Sequence, residues 1–555
     1  MYKKSFLQII VLALIFMSCK QSIGTKFDFF EYSGHDAAFD AKHDANAQYL
    51  NPILSGFYPD PSICRKGDTF YMVHSSFSFF PGIPIFKSTD LVNWEQIGHV
   101  LDRPSQLNLD GLQISHGIFA PAIEYNKFND TFYLITTNVY GIGNFIVKTN
   151  DPEKGWSDPI VLPHVGGIDP SLFFDDDGKA YIVNNDAPIG TPKYDGHRAI
   201  WIHAFDTETD KTFGEPKLIV DGGIDISKKP VWIEGPHVYK RNGKYLLICA
   251  EGGTSVNHSQ VALHANNVWG PYKPAPINPI LTQRDLPEDR PNPITSVGHA
   301  DIIDDVDGQT WAVFLGCRPY EGNYYNTGRE TFLLPVQWAD DTPVILAAGQ
   351  AVPIVGHKAN VRNNNHFSNG NFVWRDEFDR DQLDMRWLMI RTPRNKWHNI
   401  QNSALHLVPQ PNNLYSSGQP AFVGHRQQHS NFEVLTKLNF QTTVEQQAAG
   451  LACFQNEQYN TLFAKILIDG QYYFVVDRTE GDTKRIAQVA IAQSNSTKAV
   501  YLKIVGKAGS ISFYASFDNK KWTPVAENVD AKNLSTQAAG GFVGNIIGLY
   551  TGNNH

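Results

Sequence analysis

Three acidic residues sit in closely similar phrases far apart in the chain: Asp60 in YPDPS, Asp169 in GIDPS and Glu234 in IEGPH. Each phrase is followed by a short apolar run, a turn and an aromatic-rich run. Bringing three carboxylates together from such distances costs like-charge repulsion and raises at least one pKa. A purely structural protein gains little from that. Chemistry that needs one protonated and one ionised carboxyl in the same place gains a great deal.

The elements that must position these acids come from a repeat. GIDPSLFFDDDGKAYIVNN (167–185) reads as a hairpin, with DDDG as its tight turn. Variants recur as YPDPSICRKGDTFYMVHSS from Tyr58, FAPAIEYNKFNDTFYLITTN from Phe119, IEGPHVYKRNGKYLLICAEGG from Ile233 and GHADIIDDVDGQTWAVFLG from Gly298. The anchors Pro61, Pro121, Pro170, Pro236 and Asp301 lie 49 to 66 residues apart. Multi-strand repeats of this length are what propeller blades look like. Five blades around an axis would bring their equivalent positions to one end of a channel. By this alignment those positions hold Asp60, Ala120, Asp169 and Glu234, with His299 and Asp301 flanking the fifth.

The chain has 555 residues, too many for one domain by the usual size prior, and carries a net charge of −9 with no long basic run. Nucleic-acid binding is therefore not expected. Residues 1–19 read as a targeting segment: Lys3 and Lys4, an apolar core Phe6–Met17 too short to span a membrane, then Ser18-Cys19. A small residue followed by Cys is similar to the bacterial lipoprotein signal, so Cys19 is the expected lipidation site. The membrane would then be contacted only through that anchor. The expected location is the outer membrane of a Gram-negative envelope, with its face open. The other four cysteines, Cys64, Cys249, Cys317 and Cys453, form no C-x-x-C pair and read as buried free thiols.

Residues 20–48 are polar and mixed and are expected to be a tether. Residues 49–348 hold the repeats. Residues 349–371 include an Asn-rich stretch and read as a linker. From 372 to 555 short alternating strands such as EVLTKLNF and QYYFVVD predict an antiparallel β-sandwich. The overall expectation is an all-β chain, a five-bladed β-propeller followed by a concanavalin-like antiparallel β-sandwich. The acidic stretches Asp175–Asp177 and Asp304–Asp307 lack calcium-loop spacing and read as solvent-facing hairpin turns. The tyrosines Tyr320, Tyr324 and Tyr325 fit either sugar binding or packing.

The ordered set NPILSGFYPDPSICRKGDTFYMVHSSFSFFPG, GIDPSLFFDDDGKAYIVNN, WIEGPHVYK, GHAD and TGRETFLLPVQW resembles glycoside hydrolase family 43, in the branch of β-xylosidases and α-L-arabinofuranosidases with a C-terminal β-sandwich. The resemblance implies a five-bladed propeller that hydrolyses glycosides with inversion. It casts Asp60 as general base, Glu234 as general acid and Asp169 as the carboxylate that raises and orients the acid. It implies substrate contacts from Phe77, Phe119, His299, Arg329 and Phe542. His299 resembles an axial histidine that in some members helps hold a calcium ion through water; otherwise no cofactor is implied. Phe119 stands in GIFAP where xylosidase members commonly read GIWAP, which leaves xylose against arabinose open. The expected activity is exo-acting removal of terminal α-L-arabinofuranosyl or β-D-xylosyl groups from hemicellulose or its oligosaccharides. A non-catalytic glycan-binding lipoprotein and an endo-arabinanase are the alternatives.

Overall fold

The structure is a computed structural model that describes residues 24–361 and 369–553. The leader, Cys19 and the core of the Asn-rich stretch lie outside the described residues. Nearly all regular structure is β; among the described residues the one α-helix is the single turn Thr536–Ala539.

Five antiparallel sheets surround an axis. The first blade runs Ser62–Lys66, Thr69–Val73, Gly82–Ser88, Glu95–Leu101, and the next three each begin with one of the repeat phrases: Gly117–Asn126, Ile168–Phe174 and Glu234–Arg241. The fifth is Thr295–Asp304, Thr310–Cys317 and Glu330–Pro335. Ring closure uses the entering chain. Leu54 exchanges two backbone hydrogen bonds with Thr331 of the last blade, so the first and last segments of the propeller hold each other.

The acidic turns are anchored by side chains around them. Asp175 accepts from Lys240 and Tyr245 of the fourth blade. Asp305 is held by Trp311 and Lys358. Both aspartates are buried, so the expectation of solvent-facing turns is corrected for these two: Asp175 fastens its hairpin to the fourth blade, and Asp305 ties its own hairpin to the segment that follows the propeller.

The sandwich has two eight-stranded sheets. Its make-up overturns the tether assigned to residues 20–48. Thr25–Gly34 is a ten-residue strand in the middle of one sheet, paired with Asn431–Phe440, Leu405–Leu407 and Phe372–Asp376. Phe27, Phe30 and Tyr32 are fully buried there, and burying each such ring is worth about 1.5–3 kcal/mol. The linker assignment is also narrowed, because Val355–His357 pairs with Gln48–Leu50.

The two domains are not separate bodies. Phe79–Phe80, from the first blade's loop, pairs with Leu388–Ile390 and so forms the edge of the second sandwich sheet. A shared core packs Phe57, Phe77, Phe79 and Ile114 of the propeller against Ile390, Phe422, Phe454, Val543 and Tyr550 of the sandwich. The Tyr320–Asn326 loop belongs to this junction too: Tyr325 is buried and its backbone N–H donates to Ser535 Oγ, while Asn323 Nδ2 donates to Gln537 Oε1. Tyr320 and Tyr325 pack rather than present an open sugar platform. The four cysteines are buried and free.

Candidate active site

At one end of the propeller axis lies a cavity of about 290 Å³ lined by Asp60, Phe77, Phe119, Ala120, Ile168, Asp169, Trp232, Glu234, Gly253, Thr254, His299, Arg329 and Phe542. All eight residues expected from the sequence are brought together here.

The backbone explains how short blades deliver long side chains. Asp60, Ala120 and Asp169 directly precede their anchors and His299 lies two residues before Asp301, and each has a left-handed φ, +52°, +33°, +52° and +49°. Non-glycine residues in this region are strained and persist where surrounding structure enforces them. In the fourth blade the same position is Gly235, φ +54°, not Glu234. The alignment from sequence was therefore one residue off. Glu234 occupies the place held by Phe119, Ile168 and Gly298 in neighbouring blades, each the last residue paired before the ladder slips. Gly235 also has no room for a side chain: a Cβ there would sit 2.8 Å from His299 Nε2.

Asp60 is buried and held at both oxygens. Arg329 Nη1 donates to Oδ1 at 2.9 Å, and Ser75 Oγ donates to Oδ2 at 2.6 Å. Ser75 in turn accepts the Ala120 N–H at 2.7 Å. Burial alone would raise the Asp60 pKa, but the Arg329 charge and the Ser75 hydrogen bond outweigh it and hold the carboxyl below its usual range. Arg329 makes its ion pair with Asp60 and not with Glu330, which is taken by Arg318 at 2.6 Å and 2.9 Å.

Glu234 lies on the other side of this electrostatic divide. It is raised well above the usual carboxylate range, first by burial and then by the charges of Asp169 and Asp60. Asp169 is buried, accepts the Gly235 N–H at 3.2 Å and is itself pushed up to about 7, by burial and by Asp60. One carboxyl is thus kept ionised and another kept protonated within a single cavity. Such a split between neighbouring carboxyls is what separates a base from an acid.

Three phenyl rings form one wall. Phe77 meets Phe119 edge-on at 4.9 Å and lies parallel to Phe542 at 5.9 Å, with Phe119 and Phe542 5.7 Å apart. Phe77 carries a φ of +48°, a costly conformation for an aromatic residue. Phe542 comes from the sandwich; its N–H bonds Ser115 Oγ and its carbonyl accepts from Arg329. His299 is buried and pushed down to about 4 by that burial, so it is a neutral imidazole, with Nδ1 3.8 Å from Asp60 Oδ1. Among the described residues no three His, Cys, Asp or Glu side chains gather to hold a metal ion directly.

Ser75, Thr254, Trp232 and Arg198 were missed. Ser75 and Trp232 lie inside the phrases HSSFSFFPG and WIEGP, so position in the motif was their only signal. Thr254 bonds Arg329 at 3.2 Å. Arg198 sits beneath the Trp232 ring, 4.7 Å from its centre.

The family model for glycosyl hydrolases family 43 matches residues 49–343, more than half of the chain. The protein belongs to glycosyl hydrolases family 43. The model for the beta xylosidase C-terminal concanavalin A-like domain matches residues 375–555. Among curated family 43 relatives, a "Xylosidase/arabinosidase" of Butyrivibrio fibrisolvens is 38% identical over 511 residues, 91% of this chain and 96% of the relative. A "Non-reducing end alpha-L-arabinofuranosidase" of Bacteroides ovatus is 34% identical over 526 residues, covering 92% of each chain. Among solved structures, a GH43_12 protein retrieved from capybara gut metagenome superposes with a TM-score of 0.89 at 42% identity, covering 95% of this chain and 99% of that one. The chain is a glycosidase of this family, and its two-domain β architecture is the family's.

Proposed function

We propose that this glycosidase removes single terminal α-L-arabinofuranosyl or β-D-xylosyl groups from hemicellulose or its oligosaccharides, with inversion. The observation that carries the reading is the opposite tuning of Asp60 and Glu234 inside one cavity of about 290 Å³. A water oxygen attacks C1 of the bound sugar and its proton passes to ionised Asp60. The C1–O glycosidic bond breaks, and Glu234 gives its proton to the departing oxygen. Inverting enzymes carry their two carboxyls far enough apart to admit that water. Asp169 acts on Glu234 by charge and by anchoring the Gly235 backbone. Arg329 keeps Asp60 charged. The Phe77–Phe119–Phe542 wall limits the pocket to a chain end, which argues against an endo-arabinanase, and the tuned acids argue against a non-catalytic binding protein. The names of the two curated relatives support the pentose classes.

Parallel assays on 4-nitrophenyl β-D-xylopyranoside and α-L-arabinofuranoside test this. Turnover of at least one is expected, with the inverted anomer seen first by NMR; a retained anomer would refute the mechanism. A calcium ion beside His299 would be held through water, and no proton transfer above passes through it. The same assays with a chelator measure its contribution.

The chain is further proposed to be lipid-anchored through Cys19 in the outer membrane. Support comes from the leader alone: two lysines, an apolar core and Ser18-Cys19. The first strand starts at Thr25, so the span from the anchor to the sandwich is at most about 20 Å at 3.3–3.6 Å per residue. Cys19→Ala should move the protein from the membrane to the soluble fraction and abolish palmitate labelling.

A further inference from the structure

Trp232 is the one cavity-lining aromatic that the phenyl wall does not include. It is 36% exposed, carries a left-handed φ of +47°, and lies two residues before Glu234. Its exposure does not come from a loose loop. The Trp232 N–H donates to Gly196 O at 3.0 Å, Gly252 N–H donates to Val231 O at 2.8 Å, and Tyr194 Oη donates to Pro230 O at 2.9 Å. Two segments, one from the third blade and one from the fourth, thus clamp this short stretch. The Arg198 guanidinium covers one face of the indole at 4.7 Å and is itself fixed by Asn185 Oδ1 at 3.0 Å. Trp232 nevertheless stays 36% exposed and lines the cavity.

The side on which Trp232 stands is informative. Phe77, Phe119 and Phe542 cluster together, and Phe77 and Phe542 face the guanidinium of Arg329, the partner of Asp60. Trp232 is on the segment that carries Glu234. A general acid stands beside the departing oxygen, so a ring on its segment lies where the remainder of the substrate goes. We propose that Trp232 is the stacking platform for the leaving-group sugar, a pyranose of the parent chain whose apolar C–H face lies on the indole. Its contact begins where the cleaved pentose ends, which makes it a determinant of the acceptor side and not of the terminal sugar.

This rests on the hydrolytic reading above, and the test separates the two. Wild type, Trp232→Phe and Trp232→Ala are compared on two donors with the same terminal pentose: an oligosaccharide, and the corresponding glycosyl fluoride, whose leaving group has no ring. The readout is the ratio of kcat/KM for the oligosaccharide to that for the fluoride. A lost ring contact predicts that the ratio falls about tenfold in Trp232→Ala, with Trp232→Phe between. An unchanged ratio, whether both donors fall together or neither does, overturns the platform. Wild type that turns over neither donor would overturn the hydrolytic reading instead. Melting curves of the three proteins separate misfolding from the specific effect.

Discussion

Asp60 and Glu234 are carboxylic acids in the same cavity, delivered by equivalent innermost strands, yet they are tuned in opposite directions. Asp60 receives a guanidinium and a hydroxyl at bonding distance. No protein hydrogen bond to the Glu234 carboxyl occurs among the contacts described, and the nearby Asp169 and Asp60 charges disfavour its ionisation. The contrast teaches that the acid and base roles are assigned by their neighbours, most of them from other blades. Arg329 comes from the fifth and Asp169 from the third, while Ser75 belongs to Asp60's own blade.

The contrast breaks most completely by removing either member. Asp60→Asn should lower kcat by about 10³- to 10⁴-fold on every donor, since no leaving group replaces the base. Glu234→Gln should lower turnover of natural oligosaccharides by about 10²- to 10⁴-fold. Its loss on a glycosyl fluoride should be far smaller, because fluoride leaves without a proton, and the alkaline limb of the pH profile should disappear with it. Equal loss on both donors would remove Glu234 from the acid role.

A finer cut is Arg329→Met. Asp60 is held low by this charge, so its pKa should rise when the charge is removed. The base is active when ionised, so the acid limb of the kcat/KM profile should move toward neutral pH. The loss at the optimum should be about 10- to 100-fold, as one charge-assisted contact is worth roughly 1.5–3 kcal/mol. An acid limb that stays in place would mean that Asp60 is tuned by something else. The smallest effect is expected from Gly235→Ala. Its left-handed φ and the His299 ring 2.8 Å from the new Cβ should cost about 1–3 kcal/mol, read as a lowered Tm, with activity reduced because Glu234 shifts with its neighbour.

The catalytic half was legible because each blade must begin with the same turn, and that turn leaves a visible phrase around Pro61, Pro121, Pro170 and Pro236. Glu234 was found by its motif but placed one residue out, since a glycine in the strained position says nothing about the acid beside it. Ser75 and Arg198 were hidden because their partners, Asp60 and Ala120 for the first and Trp232 for the second, are distant in the sequence. The N-terminal strand failed for a different reason. TKFDFFEYSG does alternate, but a bulge between Phe27 and Phe30 breaks the period, and its partners lie some 400 residues further on, where no local signal reaches.

That strand has a consequence for how the molecule is made. Thr25–Gly34 is among the first segments synthesised, yet the sheet it completes is built from Phe372 onward. At about 5–20 residues per second the segment waits on the order of tens of seconds for its partners. Until then an apolar ribbon rich in phenylalanine has both edges bare, an invitation to mispair with another chain. The strand therefore closes its sheet only after Phe372–Asp376 and Asn431–Phe440 have been made.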